Sequence, residues 1–218
     1  MSKTIVIFST KGGVGKTLVA VNLAVSLAKD NFKKVCLIDF DLHVTGDMAH
    51  MLDLNPQRSI ADLIYLIKKQ SKEIKKSDFI TKSEHGIDFL PAVLKAQQAS
   101  YVDPAFIKDV FSLYEKDYDY IIIDAGRSLS DSFVSVLNQA HLILLVVTPD
   151  ILSIYQTKWV LDTLRSLHLP YKMVRIILNR ADSVAGVSWQ EVRINFPIEI
   201  IAQIPSEGKY VGQAVNRA

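Results

Sequence analysis

Residues 4–29 read Thr4-Ile5-Val6-Ile7-Phe8, then Ser9-Thr10-Lys11-Gly12-Gly13-Val14-Gly15-Lys16-Thr17, then a run of helical spacing to Lys29. An apolar strand that runs into a glycine-rich turn and opens a helix is the setting of a phosphate-binding loop. Glycines let the backbone turn tightly and bring its N–H groups to phosphate oxygens, and the positive end of the helix faces the same anion. Lys16 then reaches the β/γ-phosphates, and Thr17 places a hydroxyl where Mg²⁺ is ligated. Gly12, Gly13, Val14, Gly15 and Leu18 complete the expected cradle. A turn without a ligand would have to account for both lysines, the threonine and the strand-loop-helix setting together.

Outward from this loop, apolar runs predict strands over 4–8, 34–38, 87–90, 120–123, 142–147, 174–178 and 198–204. Several are nearly continuous in Ile, Val and Leu, the pattern of parallel strands covered on both faces. Helical spacing fills 16–29, 60–69, 104–114, 131–139, 151–167 and 188–195. Alternating strands and helices imply an α/β fold, a doubly wound, mostly parallel sheet flanked by helices. The chain shows neither internal repeat nor Pro/Gly-rich linker, so 1–218 reads as one domain.

Composition agrees and narrows little else. With 218 residues and 49% hydrophobic content the chain can bury a sizeable core. Its 25 basic and 23 acidic residues leave a formal charge of +2, which favours no class of partner. Cys36, the single cysteine, cannot form an internal disulfide and suits a reducing cytoplasm. The apolar part of the N-terminus is too short for a signal peptide, and no stretch approaches a transmembrane length. Lys68, Lys69, Lys72, Lys75, Lys76 and Lys82 read as a solvated face ahead of a docking patch.

Two further strand ends carry carboxylates. Asp39-Phe40-Asp41 follows one strand, where alternation sets both side chains on the same side, and Asp124 ends Tyr120-Ile121-Ile122-Ile123 at the sheet edge, where a carboxylate reaches a metal-bound water. An aspartate past a strand can merely cap a turn, but beside a phosphate loop the functional role is favoured.

The loop departs from the strict phosphate-loop pattern: Thr10 stands where glycine is expected and a second lysine, Lys11, follows. Lys11 to Thr17 resembles the deviant Walker A motif, Lys-Gly-Gly-x-Gly-Lys-Thr, of the MinD/ParA family, and the likeness covers nearly the whole chain. It implies a P-loop NTPase of the SIMIBI type that binds Mg²⁺ with ATP or ADP and forms a homodimer when ATP-bound. Lys11 would reach across the interface to the partner's nucleotide, so that Lys11, Lys16 and Asp41 are the expected catalytic residues, Asp41 orienting the attacking water. Thr17, Asp39 and Asp124 would surround Mg²⁺, partly through water, while Asn179, Arg180 and Pro205 match the base-contacting positions. Asn179-Arg180-Ala181-Asp182 also resembles the Asn-Lys-x-Asp signature by which GTPases read guanine, though Lys11 favours ATP.

Within that family, Asp39 to Leu42, Gly46-Asp47, residues 52–63 and Arg127 to Asp131 resemble the CpaE/TadZ pilus-assembly localisation proteins. That likeness implies a cytoplasmic ATPase, at a pole or peripheral to the inner membrane, that positions a partner complex in pilus or secretion assembly. A MinD-like division-site role and a ParA-like DNA-partition role stay open; Arg165, Lys172, Arg175 and Arg193 are the candidates for a DNA surface, with ordinary surface positions favoured. Ala125-Gly126-Arg127-Ser128 replaces the Thr-Pro-Pro common in the family, which motivates a competing reading as a nucleotide-binding scaffold with negligible hydrolysis. The chain ends at Val215-Asn216-Arg217-Ala218, within what resembles the last family helix, so a C-terminal truncation stays open. Cys36 alone cannot hold the bridging cluster of nitrogenase iron protein, and His43, His50, His85, His141 and His168 lack metal-ligand spacing.

Overall fold

The computed structural model describes residues 2–71, 73–183 and 187–217. Lys72 and Ala218, both noted above, lie outside the described residues. Among the described residues the strands are β1 (Lys3–Phe8), β2 (Val35–Asp39), β3 (Thr81–Lys82), β4 (Asp88–Pro91), β5 (Tyr120–Asp124), β6 (Leu142–Val147), β7 (Val174–Asn179) and β8 (Ile200–Ile204). They form one sheet in the order β3-β4-β2-β5-β1-β6-β7-β8, parallel throughout except where β3 runs antiparallel to β4. The helices are α1 (Lys16–Lys29), α2 (Asp47–Met51), α3 (Ile60–Lys68), α4 (Ile107–Tyr114), α5 (Asp131–Leu137), α6 (Ile151–Ser166), α7 (Trp189–Ile194) and α8 (Gly208–Val215). This is the expected doubly wound α/β architecture.

Strand alternation divides the core between the two faces. On β1, Val6 and Phe8 join one apolar cluster with residues of α3 to α7, whereas Ile5 and Ile7 join a second one with α1 and α2. Phe8 stacks on Phe133 of α5 with ring centroids 4.4 Å apart. Cys36 is buried in β2, where burial pushes its thiol well above the ordinary range, as an inert core side chain.

Register then aligns the functional ends. Asp39 and Asp124 are direct partners across β2 and β5, and Asp124 pairs with Ile7 across β5 and β1. The carboxyl ends of β1, β2, β5, β6 and β7 therefore present their outgoing loops at one edge, around the point where the chain turns from one side of β1 to the other. In open α/β sheets, ligands bind in that crevice.

One strand boundary is corrected, and two surface readings gain detail. The run 198–204 yields a strand only from Ile200, and β8 lies at the sheet edge with its middle residues exposed, so it is not covered on both faces. The lysine-rich stretch is partly anchored: Lys68 pairs with Asp103 at 2.6 Å, and Lys76 pairs with Asp117 and donates to the Leu113 carbonyl. Among the proposed DNA-surface residues, Arg175 is held by Glu199 at 3.4 Å and by the Lys172 and Val174 carbonyls. No helix among the described residues is long and apolar enough to cross a membrane.

Candidate nucleotide site

The loop between β1 and α1 turns on Gly15, which caps α1 in the left-handed conformation at φ 94°. A methyl group at Gly15 would stand 2.4 Å from Asn179 Nδ2, so glycine is demanded by both backbone and neighbour. Asn179 is buried at the end of β7, and its Nδ2 donates to the Val14 carbonyl at 2.7 Å. The amide expected on a purine edge is thus turned onto the loop itself.

Lys16 lies against this loop, only 8% exposed. Burial draws its ammonium below the usual lysine range; Asp124 and Asp41 oppose the shift, and the guanidinium of Arg127 adds to it. Thr17 donates its hydroxyl to Asp124 Oδ2. Asp124 is 2% exposed, and burial raises its carboxyl above the usual range against the pull of Thr17 and Lys16. Its other oxygen, Oδ1, is buried without a hydrogen-bond partner.

An unpartnered carboxylate oxygen beside a hydroxyl and a buried lysine fits a hard cation such as Mg²⁺. Asp39, also at the sheet edge, is pushed up to about 7 by burial and by the charges of Asp124 and Asp41, with the Asp41 N–H opposing. Among the described residues no group of three His, Cys, Asp or Glu side chains converges as a metal cage. Thr17, Asp124 and Asp39 are the side chains that could hold such an ion together with waters.

Asp41 lies beyond the end of β2, and its position is set by turn geometry, not by strand alternation. Its Oδ1 accepts from the N–H groups of His43 and Val44, and its own N–H donates to Asp39 Oδ1. The side chain expected to orient water is thus also the one that caps this turn. Gly126, at φ 62°, packs on it so closely that a methyl there would lie 3.0 Å from Asp41 Cγ and 3.2 Å from its Cα. The loops after β2 and β5 meet at this contact.

Lys11 points the other way, to Asp150 Oδ2 at 2.6 Å. Asp150 precedes α6, caps it by accepting from Ser153 N–H, and accepts the Thr148 hydroxyl. Burial raises its carboxyl, but Lys11, Thr148 and the Ser153 N–H together hold it below the usual range. Neither Thr148 nor Asp150 was singled out above, although an aspartate between a strand and a helix is a capping signal. Lys11, Gly12, Gly13, Thr148, Pro149, Asp150, Arg180 and Ser183 line an open cleft of 480 Å³.

Arg180 enters that cleft wall at φ 56°, a conformation uncommon for a non-glycine residue. Pro205 is exposed beyond β8, and the next residue, Ser206, donates its N–H to Asp182 Oδ1 at 2.6 Å. The carboxylate of the guanine-like signature is therefore engaged in tying two loops together. Leu18, in the first turn of α1, lies by a groove with Val21, Met51 and Ala214. The structure thus gathers Lys11 to Thr17, Asp39, Asp41 and Asp124 at one edge, with Asn179 beneath the loop and Pro205 outside it.

Comparison with known proteins agrees with this architecture. A family model described as AAA domain matches residues 2–175. An uncharacterized ATP-binding protein of Methanocaldococcus jannaschii is 31% identical over 216 residues, covering 98% of this chain and 78% of that protein. The septum site-determining protein MinD of Thermotoga maritima is 27% identical over 213 residues, 94% of this chain and 76% of its own. The crystal structure of a ParA family ATPase from Chlorobium tepidum TLS superposes with a TM-score of 0.87 at 23% identity, covering 99% of this chain and 88% of that one.

Proposed function

Because the chain belongs to the MinD/ParA family of P-loop ATPases, we propose that it is an Mg-ATP-driven spatial switch whose active site is completed by a second copy of itself. The observation that carries this reading is the pairing of Thr17 with Asp124, whose other oxygen is buried without a partner and whose charge acts on Lys16.

In this mechanism the loop amides from Gly12 to Thr17 and the Lys16 ammonium hold the nucleotide phosphates. Thr17, Asp124 and Asp39 would hold Mg²⁺, which would supply charge neutralisation to the phosphates when bound. Asp41, fixed by the His43 and Val44 N–H groups and by Gly126, orients the water for in-line attack. Lys11 leaves Asp150 and crosses to the γ-phosphate in the facing subunit, adding positive charge as the transition state forms. Asn179 supports the loop from below, while Arg180 and Pro205 flank the base.

The open and closed states would differ in affinity for a partner, which is all that a spatial switch requires. The MinD relative is named for determining the septum site, and placement of an assembly is the corresponding role here. A protein partner in a polar or membrane-associated assembly, of the CpaE/TadZ pilus or secretion kind, is the occupant we favour. Division-site placement is the alternative, and DNA partition is less favoured because Arg175 is already engaged.

ATP turnover per subunit, measured against protein concentration with GTP alongside, tests the proposal. The specific rate should rise with concentration for ATP, and Lys11→Ala should abolish hydrolysis while the separated subunit still binds nucleotide. Full activity in that variant would refute the composite site. No turnover at any concentration would favour a nucleotide-binding scaffold.

A further inference from the structure

The loop from β5 to α5 contains a cation that the mechanism above does not use. Ala125 is fixed by donating its N–H to the Ile7 carbonyl, and Ser130 is fixed as the cap of α5. Between them, Gly126 turns at φ 62° against Asp41, and the next side chain, Arg127, lies along the phosphate loop. A methyl placed on Gly12 would stand 2.8 Å from Arg127 Nη1, 3.7 Å from Cδ and 3.8 Å from Cζ.

Among the described residues, Arg127 has no carboxylate within ion-pair distance and no hydrogen-bond partner. The contrast with Lys11, which is paired to Asp150, is instructive. Asp39, Asp41 and Asp124 all lie at the same sheet edge, yet Arg127 bonds to none of them. Instead it rests on loop backbone, near enough to Lys16 for the two positive charges to oppose one another. Two like charges at one loop cost free energy that an anion bridging both would offset.

We propose that Arg127 binds the terminal phosphate of the nucleotide held by its own subunit, as a catalytic residue acting in cis. The inference rests on the ATPase reading above and adds a residue to that site. Arg127 forms and breaks no covalent bond. Water attacks the γ-phosphorus, the bond to the bridging oxygen breaks with its electron pair passing to ADP, and the water's proton ends on the released phosphate. The guanidinium donates N–H hydrogen bonds to the γ-phosphate oxygens, where its planar fork matches their geometry. An arginine so placed stabilises charge in the phosphoryl-transfer transition state without help from another chain.

The placement explains two sequence features together. Glycine at 126 lets the backbone turn while packing on Asp41, and the Arg127 that follows is thereby delivered to Gly12.

The test compares affinities for fluorescent ADP and for a fluorescent, slowly hydrolysed ATP analogue at protein concentrations low enough to keep subunits separate. Arg127→Ala should lose about tenfold of the preference for triphosphate over diphosphate while ADP affinity is kept, which also reports an intact fold. Arg127→Lys should retain part of that preference. Turnover of Arg127→Ala at high concentration should fall about a hundredfold or more. If wild-type protein hydrolyses ATP and the Arg127→Ala subunit keeps its triphosphate preference, the in-cis contact is overturned while the ATPase reading stands. If wild-type protein binds neither nucleotide, both fall together.

Discussion

Asp39 shows how a single buried residue can make the ligand-free protein sensitive to pH. Burial, then the charges of Asp124 and Asp41, push its carboxyl up to about 7 from an ordinary value of 3.8. The folded state therefore binds one proton more than the unfolded chain between those values, and stability falls as pH rises across them. This contribution is full below about pH 4 and is lost as pH passes through 7; Asp124, raised for the same leading reason, acts in the same direction. Thermal unfolding of metal-free wild type, referenced to Asp39→Asn at each pH, should show a relative advantage at pH 4 that shrinks by pH 7. A difference that stays level would mean that Asp39 is already ionised in the fold. Mg²⁺ with ADP should diminish the slope, because a cation nearby favours the carboxylate.

At the scale of elements, the start of α6 joins helix stability to the restraint on Lys11. Asp150 is both the cap of that helix and the resting partner of Lys11. Asp150→Ala removes both roles and should lower stability by about 1 kcal/mol. Asp150→Asn keeps a capping side chain and should leave stability nearly unchanged, yet it releases Lys11. Since the pair is partly exposed, it contributes at most about 1 kcal/mol, so Asp150→Asn should lower the protein concentration at which ATP turnover rises by no more than a few-fold. Melting separates the two variants, whereas their concentration series should shift alike relative to wild type; series that match wild type in both would mean that Lys11 is not restrained there. None of this pairing was legible in the sequence, because residues 11 and 150 meet only through the fold. The same holds for Asn179 with Val14 and for Arg127 over Gly12. What was legible was local: β1, the glycine turn and α1 announce themselves by composition, and the central strands are continuous apolar runs. The two-residue β3 and five-residue α2 escaped notice because elements so short carry no periodicity. The edge position of β8 is not legible because edge and centre strands cannot be told apart by hydrophobicity alone.

For the whole molecule, the question is where a second copy would meet the first. Tyr155, 72% exposed, lies on α6 with Ile151, Leu152 and Trp159, all exposed, although α6 also packs against the core through Ile154, Val160, Leu161 and Leu164. Residues 151, 155 and 159 recur at four-residue spacing and so form one stripe, with Leu152 beside its start. That stripe begins next to Asp150 and hence next to the cleft that contains Lys11. If Lys11 crosses to a second copy as proposed, the exposed apolar stripe adjoining it is the surface expected to close against that copy. Tyr155→Glu puts a charge in the middle of it without touching the core or the phosphate loop. The variant should melt like wild type and bind ADP equally well, while its ATP turnover per subunit stays flat with concentration and sedimentation finds it monomeric with the slowly hydrolysed analogue. Were turnover to rise with concentration as in wild type, the subunits would have to meet elsewhere, and the stripe on α6 would belong to the partner that the switch positions.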